Sequence, residues 1–170
     1  MDLTKVKGVF IYGTMMILTS QSPEETQQLA HWMAEHLKPQ ALALVGDLGM
    51  GKTCFAKGFL SALGVDESDV SSPTFAIVHE YDTEPSVLHL DLYRLESEDL
   101  PNLALDERID EQIEDLGGFV LVEWANKHPK VLPPNAMWIE FTARGSERQI
   151  HIEAASKIEQ RIFNFWDAKQ

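Results

Sequence analysis

Residues 46–53 read Gly-Asp-Leu-Gly-Met-Gly-Lys-Thr, which fits the phosphate-binding loop pattern G-x-x-x-x-G-K-[ST]. The apolar run Ala41-Leu42-Ala43-Leu44-Val45 precedes it and predicts a short buried strand. Residues 53–60 follow with apolar side chains at helical spacing. Strand, glycine loop and helix in that order is the local context this motif requires.

Each residue type in the loop has a physical task. Gly46, Gly49 and Gly51 open backbone conformations closed to other residues, so that successive N–H groups turn inward around phosphate oxygens. Asp47, Leu48 and Met50 fill the positions between them. The N-terminus of the following helix adds the positive end of its dipole. Lys52 supplies a cation for the β- and γ-phosphates, and the Thr53 hydroxyl is a ligand for Mg²⁺. Taken alone, the loop leaves kinase, GTPase, transporter and switch protein all open.

Two further segments place acidic residues where such a loop needs them. Val87-Leu88-His89-Leu90 runs into Asp91, and Phe119-Val120-Leu121-Val122 runs into Glu123. Ligands of parallel α/β sheets lie beyond the carboxyl ends of the strands. A carboxylate there can hold Mg²⁺, directly or through water, or orient an attacking water. Burial makes such a carboxylate costly unless its charge is compensated, and Mg²⁺ and Lys52 would compensate it. Lys52, Asp91 and Glu123 are therefore the candidate catalytic set. Ser72-Pro73-Thr74 lies between the first helix and the next strand, where nucleotide hydrolases carry segments ordered by the γ-phosphate; Thr74 is the candidate sensing hydroxyl.

The rest of the chain reads as alternating elements. Ser22, Pro23 and Glu25 predict a helix start with a capping box; Leu29, Trp32, Met33 and Leu37 form its apolar stripe, and Pro39 ends it. Residues 74–80 alternate like a strand, and residues 102–116 predict one acidic helix with Leu105, Ile109, Ile113 and Leu116 on a single face, stopped by Gly117-Gly118. Residues 136–143 and 148–154 predict a hairpin through Gly145-Ser146, and residues 157–167 a closing helix. Residues 7–18 read as a first strand, or as an upstream start with the natural domain beginning at Met15 or Met16. The whole chain, 1–170, is expected to form one domain, with 1–14 a candidate extension outside it.

Several features point away from competing functions. Asn126-Lys127-His128-Pro129 begins like the guanine-reading Asn-Lys-x-Asp, but Pro129 stands where the carboxylate should be, so guanine selectivity is unsupported. The six histidines have no metal-ligand spacing, and His89 reads as a strand side chain rather than a zinc ligand. Cys54, the single cysteine, excludes an internal disulfide, suits a reducing cytoplasm and reads as a small packing residue. With 14 Lys and Arg against 27 Asp and Glu, the net charge is −13, a poor match to a phosphate backbone. Any involvement with RNA is expected to run through a partner protein, and no apolar run reaches membrane-spanning length.

With these segments in place, the chain resembles the TsaE (YjeE) family of small bacterial ATPases acting in transfer-RNA threonylcarbamoyladenosine synthesis. The resemblance is carried by residues 46–53, Ser72-Pro73-Thr74-Phe75, Glu80-Tyr81, His89-Leu-Asp-Leu-Tyr-Arg-Leu95 and Val122-Glu123-Trp124, in this order and spacing. It implies a P-loop NTPase-like three-layer α/β fold, with a parallel core sheet flanked by antiparallel strands. It further implies ATP on the 46–53 loop, Mg²⁺ on Thr53 and Glu123, and Asp91 supporting metal or water. Thr74 would lie in a switch-like segment, Trp124 beside the nucleotide, and residues 22–26, including Thr26, against adenine. The implied partner is the TsaD–TsaB heterodimer, which carries the transferase chemistry. Hydrolysis by this chain would support repeated turnover, with tRNA engaged only indirectly. Cys54 departs from the Ser or Thr common at its position and would add an oxidisable thiol near the phosphates. The alternative readings are a small-molecule kinase on the same loop and a non-hydrolysing adaptor. A kinase lid is poorly supplied here, with Arg94 near the motif blocks and Arg144 and Arg148 in the hairpin.

Overall fold

The computed structural model describes residues 4–6, 9–12, 15–153 and 155–169. In chain order its main elements are β1 (Thr4–Val6), β2 (Val9–Tyr12), β3 (Met15–Ser20), α1 (Pro23–His36), β4 (Ala41–Val45), α2 (Lys52–Ser61), β5 (Val78–Tyr81), β6 (Val87–Asp91), α3 (Leu100–Leu103) and α4 (Leu105–Asp110). They continue with a π-helical turn (Glu111–Asp115), β7 (Phe119–Glu123), β8 (Met137–Arg144), β9 (Glu147–Glu153) and α5 (Ser156–Asp167). The strands form one sheet in the order β1-β2-β3-β9-β8-β4-β7-β6-β5. Strands β8, β4, β7 and β6 are parallel, and antiparallel pairs extend the sheet on both sides. The expected parallel core with antiparallel flanks is the observed fold.

Strand parity decides what each face of the sheet carries. Leu42 and Leu44 of β4, Phe119 and Leu121 of β7, and Ile139 and Phe141 of β8 join a core with α1, α2 and α5. Ala41, Ala43, Leu88, Leu90, Val120 and Val122 join a second core with α4 on the opposite face. Side chains alternate along a strand, so His89 and Asp91 lie on the Val87 side and Glu123 on the Leu121 side, the face that α2 covers. All five residues of β6 and of β7 are buried, as near-continuous apolar runs in a parallel sheet should be.

Helix α1 begins as expected at Ser22, whose hydroxyl accepts the Glu25 N–H at 3.3 Å, with Pro23 in the first turn. The reciprocal bond is displaced by one residue: Glu25 accepts from the Gln21 N–H, at 2.7 Å, rather than from Ser22. Trp32 stacks on Phe165 of α5 at 4.6 Å, which fixes the closing helix against α1.

Two expected elements are corrected. The strand read at 74–80 begins only at Val78, because Ile77 adopts φ +69° and its N–H turns back to the Pro73 carbonyl. The helix read at 102–116 breaks at Ala104 (φ +46°) and widens into the π turn. The wider turn brings the Gln112 amide to the Ser86 carbonyl at 2.9 Å and rotates the later residues off the stripe. Leu105 and Ile109 are buried as expected, but Leu116 is exposed.

Helices α1 and α2 approach closely at Gly58, where an added Cβ would stand 2.3 Å from the Gln27 carbonyl oxygen. Helix propensity alone favours Gly58→Ala by about 1 kcal/mol. The backbone contact reverses that sign, and we expect a net destabilisation of about 1–3 kcal/mol from overpacking. Urea denaturation of the variant checks this; stabilisation would refute the packing argument.

Candidate functional site

The glycine loop links the end of β4 to the start of α2 beneath β8. Gly46 has φ +143°, and an added Cβ there would stand 2.6 Å from the Phe141 carbonyl oxygen. Gly51 (φ +117°) caps α2 without any side-chain hydrogen bond, so the first N–H groups of the helix face the loop. Met50 N–H closes a turn onto the Asp47 carbonyl at 3.2 Å, and Leu48 projects outward, 80% exposed. A helix N-terminus presented by a glycine loop is a site for a phosphate group.

Lys52 is nearly buried and folds back under the loop. Its ammonium donates to the Gly46 carbonyl at 2.5 Å and the Asp47 carbonyl at 2.9 Å, and sits 4.0 Å from the Trp124 ring centroid. Burial holds its pKa below the ordinary lysine value, while the charges of Glu123, Asp91 and Asp47 pull it back upward. Trp124 adopts φ +58° directly after β7, and its ring packs on Tyr93 with centroids 4.8 Å apart. Trp124 thus lies beside the glycine loop through its contact with Lys52.

Asp91 and Glu123 are register partners at the ends of β6 and β7. Both are buried. Glu123 accepts from the Thr53 hydroxyl through Oε2 at 3.0 Å, and its Oε1 lies 3.0 Å from His89 Nε2. Among the described residues, Lys52 makes no ion pair with either carboxylate; hydrogen bonds from Thr53 and His89 satisfy Glu123 instead. Asp91 is also fully engaged. Its Oδ2 accepts from the Ser72 hydroxyl and, at 2.8 Å, from the Thr74 hydroxyl, and its Oδ1 accepts from the Tyr93 N–H at 2.8 Å. Thr74 thus comes to the site through Asp91, while its neighbour Phe75 stands 83% exposed under the Arg94 guanidinium at 4.1 Å.

Thr26 lies near the start of α1. It is buried, with its hydroxyl 2.8 Å from that of Ser20. The start of α1 does border α2, because the Cys54 thiol bonds the Pro23 carbonyl at 3.3 Å. Burial, reinforced by Glu24, raises the Cys54 pKa, so the thiol is turned to α1 and kept protonated rather than activated.

The donor set fits a hard divalent cation. Mg²⁺ takes oxygen ligands and is commonly held by one or two carboxylates together with substrate phosphates rather than by an all-protein cage. Thr53 and Glu123 present a hydroxyl and a carboxylate at one point, with Asp91 in the adjacent register position. Among the described residues, no group of three or more His, Cys, Asp or Glu forms a cage that could hold a metal.

His89 and Ser72 are the contributors that sequence reasoning passed over. The signal for His89 was its place two residues before Asp91 in a buried strand, which puts it on the carboxylate face. Residues 126–129 have a different task from base reading. The Lys127 ammonium donates to the Tyr93 carbonyl at 2.6 Å, and His128 Nε2 bonds the Leu95 carbonyl at 2.9 Å, so together they brace the loop after β6. No helix among the described residues is long and apolar enough to cross a membrane.

The family model for the threonylcarbamoyl adenosine biosynthesis protein TsaE matches residues 20–150. The tRNA threonylcarbamoyladenosine biosynthesis protein TsaE of Bacillus subtilis (strain 168) is 42% identical over 136 residues, covering 78% of this chain and 82% of that protein. The protein of the same description from Aquifex aeolicus is 39% identical over 110 residues, covering 63% and 74%. The crystal structure of Bacillus subtilis YdiB superposes with a TM-score of 0.66 at 32% identity, covering 91% of this chain and 95% of that one. The chain belongs to the TsaE family, whose members take part in tRNA threonylcarbamoyladenosine biosynthesis.

Proposed function

We propose that the chain is a Mg²⁺-dependent ATPase whose hydrolysis is read out by the TsaD–TsaB pair during threonylcarbamoyl modification of tRNA. The observation that carries this reading is the 3.0 Å contact between the Thr53 hydroxyl and the buried Glu123 carboxylate behind a glycine loop that ends in Lys52. A hydroxyl and a carboxylate converging beside a phosphate-binding helix N-terminus suit a metal–nucleotide complex.

Each residue has a definite task in this reading. Backbone N–H groups of residues 46–53 and the start of α2 bind phosphate oxygens, and Lys52 exchanges its carbonyl partners for the β- and γ-phosphates. Thr53 and Glu123 hold Mg²⁺, which when bound neutralises charge on the phosphates. Asp91 holds Ser72 and Thr74 facing the γ-phosphate position. Trp124 and Tyr93 form an aromatic wall that keeps water from Lys52.

The charge and surface of the chain favour a protein partner. A net charge of −13 opposes free tRNA, while Leu48 and Phe75 expose large apolar side chains from the loop and the switch-like segment. The kinase alternative has no arginine lid: Arg94 is committed to Phe75, and Arg148 donates to its own strand at the Glu147 carbonyl. A reducing cytoplasm is the compartment that suits this chemistry.

Three variants test the assignments. Lys52→Ala should weaken ATP binding at least about tenfold, since each charge-assisted bond is worth roughly 1.5–3 kcal/mol. Glu123→Gln and Asp91→Asn should keep ATP affinity within about threefold and lower kcat by about 10²–10³-fold, the range for losing one group that acts on transition-state charge. Calorimetric titration with ATP and a phosphate-release assay separate the two effects; normal hydrolysis by both carboxylate variants would reject the site. Adding the TsaD–TsaB pair should raise wild-type ATP turnover clearly above that of the chain alone. Unchanged turnover would reject the partner assignment, and turnover that instead requires a small phosphate acceptor would favour a kinase.

A further inference from the structure

The nucleotide reading leaves His89 and Tyr81 without a task, although His89 lies against the carboxylate at its centre and Tyr81 packs on His89. His89 is wholly buried, on the face of β6 that α2 covers, and its Nε2 lies 3.0 Å from Glu123 Oε1. Its Nδ1 is buried with no hydrogen-bond partner. A proton on Nδ1 would be a buried donor without an acceptor, whereas a proton on Nε2 meets a carboxylate oxygen, so the ring donates through Nε2. The Tyr81 ring stacks along the imidazole, with centroids 6.3 Å apart and planes 29° apart, and limits its rotation.

The two oxygens of Glu123 therefore have separate partners. His89 takes Oε1, and Oε2 is left aimed at the Thr53 hydroxyl. A glutamate side chain has three rotatable bonds, and without a fixed bond at Oε1 the direction of Oε2 is set by Thr53 alone. Resting on the metal–nucleotide reading above, we propose that His89, steadied by Tyr81, is a positioning residue that aims Oε2 of Glu123 at the cation position. It touches neither nucleotide nor metal. Hydrogen-bonded partners of metal-binding carboxylates act in this way, and their loss typically costs about 10–100-fold in metal affinity or activity.

The side-chain amide of Gln can stand in for the Nε2–H donor, whereas Leu cannot. With the full chain, His89→Leu should weaken Mn²⁺ binding to the ATP-loaded protein, read by electron paramagnetic resonance, by about 10–100-fold and lower kcat by a similar factor, with ATP affinity in the absence of metal unchanged. His89→Gln should restore both to within about threefold of wild type. Thermal melting of each variant establishes that it is folded. If wild type binds Mn²⁺ and ATP while a folded His89→Leu protein matches it, or if His89→Gln is as impaired as His89→Leu, the positioning role is overturned and the nucleotide reading stands. If wild type binds neither, both are overturned. The metal-free, nucleotide-free protein gives a separate measure: long-range ¹H–¹⁵N spectra of histidine-labelled wild type should show the His89 proton on Nε2. A proton on Nδ1 instead rejects the proposal whether or not the Leu variant folds.

Discussion

The carboxylate of Glu123 closes a strand whose other four members are Phe, Val, Leu and Val, and it is as buried as they are. An ionised carboxylate in such a place costs several kcal/mol unless its oxygens are satisfied. Its two oxygens find two partners, one on the neighbouring strand and one on the helix that covers the sheet face. Those bonds require α2 to begin at Lys52 with Thr53 directed at the sheet, and they require β6 to pair with β7 in the register that sets Asp91 beside Glu123. Shifting β6 by one residue against β7 would turn His89 and Asp91 into the α4 core and leave Glu123 without its strand partner. Loop, helix and strand order are thus tied to one buried charge.

Lys52 shows the same economy from the cationic side. The obvious partners for a buried ammonium are Glu123 and Asp91, yet it bonds two carbonyls of its own loop and lies against an indole ring. The carboxylates are already committed, to Thr53 and His89 in one case and to Ser72, Thr74 and the Tyr93 N–H in the other. Carbonyls are weaker partners for an ammonium than phosphate oxygens. An arriving anion therefore competes for Lys52 with neutral acceptors rather than with an ion pair. The nearby carboxylates still act on Lys52 over a distance, offsetting part of the burial that depresses its pKa.

How much of this was legible depended on how local the signal was. The glycine loop between β4 and α2, the ends of β6 and β7, the hairpin and the Ser22 cap of α1 follow from residues within a few positions of one another, and all are readable. The segment 74–77 was misread as strand because its alternation is real. The turn at Ile77 is imposed by bonds to Pro73 and to the Asp91 N–H, a contact 14 residues away in sequence that no short window contains. The π turn answers to Ser86, 26 residues away in sequence from its partner Gln112. His89 reads from the sequence as a strand side chain, as it is, but its partner Glu123 is on another strand.

The segment 126–129 shows how one position can carry a familiar spelling and a different physics. In a guanine reader, the base is selected by a carboxylate at the fourth position, which here is Pro129. Lys127 is a donor only and cannot replace that acceptor; its ammonium is engaged by the Tyr93 carbonyl and, at 3.8 Å, by Glu96. His128 is similarly occupied by the Leu95 carbonyl. Both bonds end on the loop after β6, and that loop carries Tyr93, whose ring supports Trp124 over Lys52. Removing the Lys127 ammonium would therefore release one bond that holds Tyr93 and loosen the aromatic contact over Lys52. A segment spelled like the start of a base reader is thus occupied in bracing the loop that supports Trp124.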